Sequence, residues 1–293
     1  EHLTTDQKVA GLNPAGVTAN FASTITMSCG VFFMHASAYI AGKVAGMVLL
    51  LILLLFPGRL FAQDEEGFTA DRPGATTGVD VMPKGRIQWE TGIAAEYSKI
   101  EVPKSNTWAI NSSMIRWGML KNAELRFQFN CLYKHSSEED FVGFSDVAIG
   151  SKIHLYEGKK VIPAMSLLAN VYIPGGKDSY YLPENIGGLL GLLCQNQLSS
   201  VFTLGYEVTF IWSYSECPVV LWGINLGAQA SEKVSLSAEV YNSNDDASEW
   251  WMGLGFALQL AKRLQLDIAT DINLEHLNKY NNIQVGLSWQ ITK

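Results

Sequence analysis

With 293 residues, a net charge of −7 and no Lys/Arg cluster, the chain lacks the basic footprint of a nucleic-acid binder. Only 17% of its residues are charged, while 11% are aromatic and 26 are glycine. A typical soluble domain is about 25% charged, so this balance better suits a wall with one face in lipid. None of Cys29, Cys131, Cys194 and Cys217 forms a C-x-x-C pair, and no His cluster accompanies them, so no metal site is expected; with no Walker loop, dinucleotide fingerprint or H-E-x-x-H, no cofactor is expected either. The cysteines read as small apolar wall residues, with a Cys194–Cys217 disulfide left open.

Residues 1–62 read as an N-terminal extension plus a secretory signal peptide. Lys43 is followed by thirteen uncharged, mostly apolar residues, Val44–Phe56; Pro57 and Gly58 then break the helix, and Leu60-Phe61-Ala62 precedes an acidic run. A basic flank, a short apolar core, a breaker and a small residue predict cleavage after Ala62. The core is too short for the roughly 20 residues of a membrane-spanning helix. Because a signal peptide starts close to its core, a natural start at Met27 or Met34 is expected. The alternative is an inner-membrane hairpin, with a helix at 17–40, that anchors a periplasmic domain.

Residues 63–84 carry no strand period and read as a lead-in or plug segment, in which Asp71, Arg72 and Pro73 either enter the barrel or form a periplasmic turn. From Gly85 to residue 292 twelve strands are predicted. The first sets Ile87, Trp89, Thr91, Ile93, Ala95 and Tyr97 against Arg86, Gln88, Glu90 and Glu96, the period of two that gives a strand one apolar and one polar face. In the second, Thr107–Gly118, Trp108, Ile110 and Met114 oppose Asn111 and Ser113. The third, Ala123–Lys134, sets Leu125, Phe127, Phe129, Cys131 and Tyr133 against Glu124, Arg126, Gln128 and Asn130. In the fourth, Phe144–Tyr156, Val147, Ile149, Ile153 and Leu155 oppose Asp146, Lys152 and His154. The fifth, Lys160–Ile173, is apolar on both faces apart from Ser166 and Asn170. The remaining seven run to the C-terminus, among them Lys233–Asn242 with Glu239 on its polar face and the eleventh with Asp267 and Asp271.

Three features separate this pattern from a soluble sandwich. The strands exceed the soluble norm of about 5–6 residues and meet the roughly 9–11 that a tilted strand needs to cross a bilayer. Connections after strands 2, 4, 6, 8 and 10 are short, while most of the others are longer and polar. Trp and Tyr recur near strand ends, as interfacial girdles do. Backbone groups in hydrocarbon need partners, so a spanning sheet must close on itself. The reading is an all-β protein: a closed antiparallel transmembrane β-barrel of about 12 strands, with short periplasmic turns and longer extracellular loops, in the outer membrane of a Gram-negative bacterium. The expected partners are outer-membrane lipid, a small-molecule solute and the barrel-assembly machinery.

At Ala70-Asp71-Arg72-Pro73, at Met82-Pro83-Lys84-Gly85 running to Gln88, Glu90 and Gly92, at Gly143-Phe144-Ser145-Asp146 with Gly150 and Lys152, and at Ile173-Pro174-Gly175-Gly176, the chain resembles the outer-membrane transporter family of the meta-pathway of phenol degradation. The resemblance covers roughly residues 68–292. It implies a role in small-molecule passage and transfers no substrate-binding residue.

With the apolar face outward, the candidate lumen-lining residues are Arg86, Gln88, Glu90, Glu96, Glu124, Arg126, Gln128, Asn130, Asp146, Lys152, His154, Glu239, Asp267 and Asp271. They either set selectivity or pair across strands and fill the barrel. The functional expectation is passage of small aromatic or apolar solutes through a polar lumen. The alternatives are a structural or adhesion barrel without transport, or an enzyme resembling the twelve-stranded outer-membrane phospholipase, whose His-x-Ser pair His135-Ser136-Ser137 would mimic. No adjacent base for Ser137 is legible, so no catalytic residue is assigned.

Overall fold

Alternating side chains produce twelve strands that close on themselves. In the computed structural model, which describes residues 68–98, 105–136, 140–159, 161–174, 186–212, 218–243, 250–275, 277 and 280–292, these are β1 (Ile87–Ser98), β2 (Ser105–Gly118), β3 (Ala123–Ser136), β4 (Asp140–Lys159), β5 (Ile162–Tyr172), β6 (Gly187–Gln197), β7 (Phe202–Trp212), β8 (Val219–Ser231), β9 (Val234–Ser243), β10 (Trp250–Ala261), β11 (Leu264–Asn273) and β12 (Tyr280–Gln290). Each strand pairs antiparallel with its sequence neighbours, and β1 pairs with β12 from Gln88↔Gln290 to Ser98↔Tyr280, which closes the barrel. The expected signal peptide, cleavage site and preceding extension fall on residues outside the described ones, as does Cys217. Cys131 and Cys194 are free thiols.

The apolar residues face outward, as they must in lipid. Ile93, Val142, Phe144 and Ile149 are each more than half exposed, while Gln88, Glu90, Glu124 and Lys152 on the opposite face are fully buried. Aromatics mark both rims. Near the short turns Trp89 pairs in register with Trp289, and Trp117 is half exposed; near the other rim Trp108 is opposite Tyr133, and Trp222 meets Trp250 edge-on at 4.9 Å. Apolar belt and girdles together define an outer-membrane barrel.

One predicted face is corrected by a β-bulge. In β2, Ile110 and Asn111 together oppose the single residue Ile93, so the pairing shifts between Gly92 and Ala94. Beyond the bulge the phase reverses: Ser112, Met114 and Arg116 point inward, whereas Ile115 and Trp117 point to lipid. Met114 is therefore 1% exposed inside the barrel rather than on the outer face with Ile110. Ser113 lies on the outer side, where it meets Thr91 and Trp89. An extra residue reverses alternation because the side-chain period is two. A second bulge lies in β4, between the pairs Gln128↔Ala148 and Asn130↔Ser145; Ser145 is buried, Ile149 and Lys152 keep their expected faces, and the side chain of Asp146 lies outside the described residues. The polar stretch expected to form a long loop after the third strand instead extends the β3–β4 hairpin to Ser136 and Asp140, leaving only 137–139 between the strands. Polar residues keep pairing there because a ladder standing beyond the bilayer tolerates them on both faces.

Candidate functional site: the barrel interior

Residues 69–82 lie inside the barrel and touch every strand in turn. Thr69 O accepts from Gln88 Nε2 (2.7 Å, β1) and Arg116 Nη1 (3.3 Å, β2). Asp71 N–H donates to Glu90, and its carboxylate accepts from Arg126 Nη1 (2.6 Å, β3) and Lys152 Nζ (2.8 Å, β4). Arg72 reaches Asp267 (3.3 Å, β11) and Gln284 (3.1 Å, β12), while its carbonyl accepts from Gln265 Nε2. Pro73 lies against Gly255 of β10. The N–H groups of Ala75 and Thr76 and the Thr76 hydroxyl donate to Glu239 of β9. The Thr76 methyl group fits against Gly223 of β8, and Thr77 N–H donates to Glu207 of β7. Val79 packs among Leu168 and Tyr172 of β5 and Leu189 and Leu193 of β6, and its carbonyl accepts from Ser166. Asp80 O accepts from Arg116 Nη2, and Met82 N–H donates to Glu124 before the chain enters β1.

A segment without its own ladder has unpaired backbone N–H and C=O groups, and the interior wall supplies partners for them. This explains why so many wall residues are carboxylates. Glu90, Glu124, Glu207 and Glu239 all accept backbone N–H groups from the segment. The centre is a closed ionic network. Arg116 pairs with Glu90 (2.9 Å) and Glu124 (2.9 Å) and stands 3.5 Å from Asp71; Arg126 and Lys152 also hold Asp71. Arg116, Arg126 and Lys152 thus balance Asp71, Glu90 and Glu124, which offsets the desolvation of every member. Burial alone raises the Asp71 pKa, but the combined attraction of Arg116, Lys152 and Arg126 outweighs it and holds this carboxyl, which belongs to no spanning strand, well below its usual range.

The guanidinium of Arg72 needs two glycines. A Cβ on Gly286 would lie 2.3 Å from Arg72 Nε, and one on Gly92 2.7 Å from Nη2. The two face each other across β1 and β12, forming a notch as wide as the guanidinium.

Of the predicted interior residues, Gln88, Glu90, Glu96, Glu124, Arg126, Gln128, Asn130, Lys152, Glu239, Asp267 and Asp271 are buried, and His154 is half-buried against Ser166 (3.1 Å). Arg86 stands outside β1, in the turn where its N–H donates to Pro83 O. Asp71, Arg72 and Pro73 lie within the barrel, so the periplasmic-turn alternative is set aside. Sequence reasoning missed Arg116 and Glu207. Arg116 was legible only through the phase change between the outward Ile110 and Ile115, five residues apart. Glu207 is a lone acid among Tyr206, Val208 and Phe210 and gave little signal beyond that. Among the described residues no group of three or more His, Cys, Asp or Glu side chains is arranged to hold a metal.

Fold and interior together define an integral outer-membrane β-barrel with an N-terminal segment folded into its lumen. The family described as "Putative MetA-pathway of phenol degradation" matches residues 70–291, and the chain belongs to it. No curated protein matches the sequence. Among solved structures, an outer membrane channel from Pseudomonas putida F1 is 12% identical, with a TM-score of 0.55 over 73% of this chain and 98% of that one, and shares the fold. The Ralstonia pickettii toluene transporter TbuX is more distant, at 5% identity and a TM-score of 0.45 over 72% and 90% of the two chains.

Proposed function

We propose that the protein passes small aromatic or other apolar solutes across the outer membrane, along the apolar side of its interior. One observation carries this reading. Leu168, Tyr172, Leu189 and Leu193, with Ala148, turn a buried apolar surface inward between β4 and β6, and Val219 and Leu221 of β8 do the same nearby. An interior that only had to be wetted has no need of such a surface, whereas an apolar solute crossing a polar barrel does. The toluene transporter and the monoaromatic hydrocarbon channel CymD among more distant barrels carry names of the same chemistry. The test is uptake by proteoliposomes of a phenol or a toluene-like solute, compared with a sugar of similar size. Selective uptake of the aromatic supports the reading; no flux of either solute overturns it.

The second reading, a structural barrel without transport, is favoured by the contacts that residues 69–82 make with all twelve strands. Planar-bilayer recordings separate the two, because a sealed barrel gives neither conductance nor solute flux. The reading includes no enzymatic step; phospholipid hydrolysis abolished by Ser137→Ala would replace it. The barrel-assembly machinery and outer-membrane lipid complete the proposed partners.

A further inference from the structure

We infer that Glu239, Asp271, Asn282 and Tyr241 form a site for a hard divalent cation of the calcium class. The register of β9 to β12 aligns Glu239, Gly253, Asp271 and Asn282 in one transverse row. The three side chains of that row point inward and are almost completely buried. Gly253 contributes no side chain, and the carboxylates converge over it: a Cβ there would lie 2.5 Å from Glu239 Oε1 and 2.9 Å from Asp271 Oδ1.

These groups differ from the buried acids of the ionic network and from Asp267. Asp71, Glu90, Glu124 and Asp267 each pair with an arginine or lysine. Among the described residues neither Glu239 nor Asp271 takes part in an ion pair, and the Tyr241 hydroxyl is the one side-chain donor beside Asp271. Both polar atoms of the Asn282 side chain lack a hydrogen-bond partner, while the hydroxyl of Tyr241 faces the two carboxylates from β9, within reach of Asp271. Buried polar atoms without partners are rare and require a cause. Two adjacent carboxylates with no cationic side chain must share a proton or coordinate a cation, and the buried, unpartnered Asn282 amide beside them favours the cation.

The donor set is oxygen only, which selects calcium or magnesium over softer metals. Glu239 Oε1, the two Asp271 oxygens, Asn282 Oδ1 and the Tyr241 hydroxyl supply most of the roughly six to eight oxygens that calcium takes, with water completing the shell. Because Glu239 also accepts from Ala75 N–H, Thr76 N–H and the Thr76 hydroxyl, a bound cation would tie the inserted segment to β11 and β12.

Terbium, a luminescent substitute for calcium, tests the site. Tyr241 stacks on Trp251 at 6.3 Å, so both rings stand ready to sensitise the ion. Refolded, chelator-treated protein in detergent should show terbium emission on aromatic excitation, and calcium should displace it. Asp271→Asn should weaken terbium binding at least tenfold, and Asn282→Ala should weaken it less. Asp267→Asn, whose carboxylate already belongs to Arg72, should leave binding unchanged. Heat-modifiable gel migration reports whether each variant folds, and Asn282→Ala carries the test if Asp271→Asn does not. Absence of emission from the parent protein means that the carboxylates share a proton, and overturns the site. Equal affinity in the parent and in a folded Asp271→Asn or Asn282→Ala variant overturns it as well.

Discussion

On the β1–β4 side of the interior the inserted segment meets Arg116, Arg126, Lys152, Glu90 and Glu124, whereas on the β5–β6 side it meets Leu168, Tyr172, Leu189 and Leu193. The first contact is made of charge-assisted hydrogen bonds with defined directions. The second is a single valine, Val79, seated among apolar groups. Directional bonds lock one geometry, since each buried partner that is lost leaves another unpaired. Apolar contact is non-directional and can exchange one apolar group for another. The charged side therefore anchors the segment, and the apolar side is where a solute can compete with it.

The largest effect should come from breaking the anchor. Arg116→Met leaves Glu90 and Glu124 without their main cation and should cost about 3–5 kcal/mol, measured by denaturant unfolding in micelles. If the charged side is the anchor, the same variant should raise single-channel conductance. On the apolar side, the fully buried Leu193 contrasts with Leu192, which faces lipid. Leu193→Ala should cost about 2–5 kcal/mol through the cavity it leaves, while Leu192→Ala should cost clearly less. Equal costs would show that the two faces are not distinct. Gly286→Ala tests the notch that seats Arg72. The added methyl group displaces the guanidinium from Asp267 and Gln284, for about 1–3 kcal/mol of overpacking.

The smallest effect concerns pH. The folded pKa of Asp71 is depressed below its ordinary 3.8, so its contribution to stability is fully present above that value. The contribution is lost only as pH falls through the folded value. Denaturant titrations at neutral and mildly acidic pH should show no change attributable to Asp71. Asp71→Asn should remove part of the loss seen in strong acid; an identical acid limb in both proteins would place the titrating group elsewhere.

Much of the architecture was legible because alternation is a local signal. Ile87, Trp89 and Ile93 against Gln88 and Glu90 needs only the pleat of one strand, and twelve such runs with alternating connections leave few alternatives to closure. The face of β2 was misread where a bulge entered, because an extra residue shows itself only against a partner strand. Met114 and Ser113 exchanged sides for that reason. The acidic interior was legible as a face but not as a function: nothing local indicates that Glu239 and Glu207 receive backbone N–H groups from residues more than a hundred positions earlier.

The sequence by itself determined the membrane-facing belt, the strand count and the polarity of the interior, since each follows from side-chain period and from the need of every backbone group in lipid for a partner. The position of Asp71-Arg72-Pro73 and the charges that meet there are long-range matters. Those pairings depend on closure, which brings β1 beside β12 and sets Gly92 against Gly286 beneath the guanidinium of Arg72. The interior of a closed barrel is a surface that no single strand carries, so the partners of the inserted segment exist only once the last strand has joined the first.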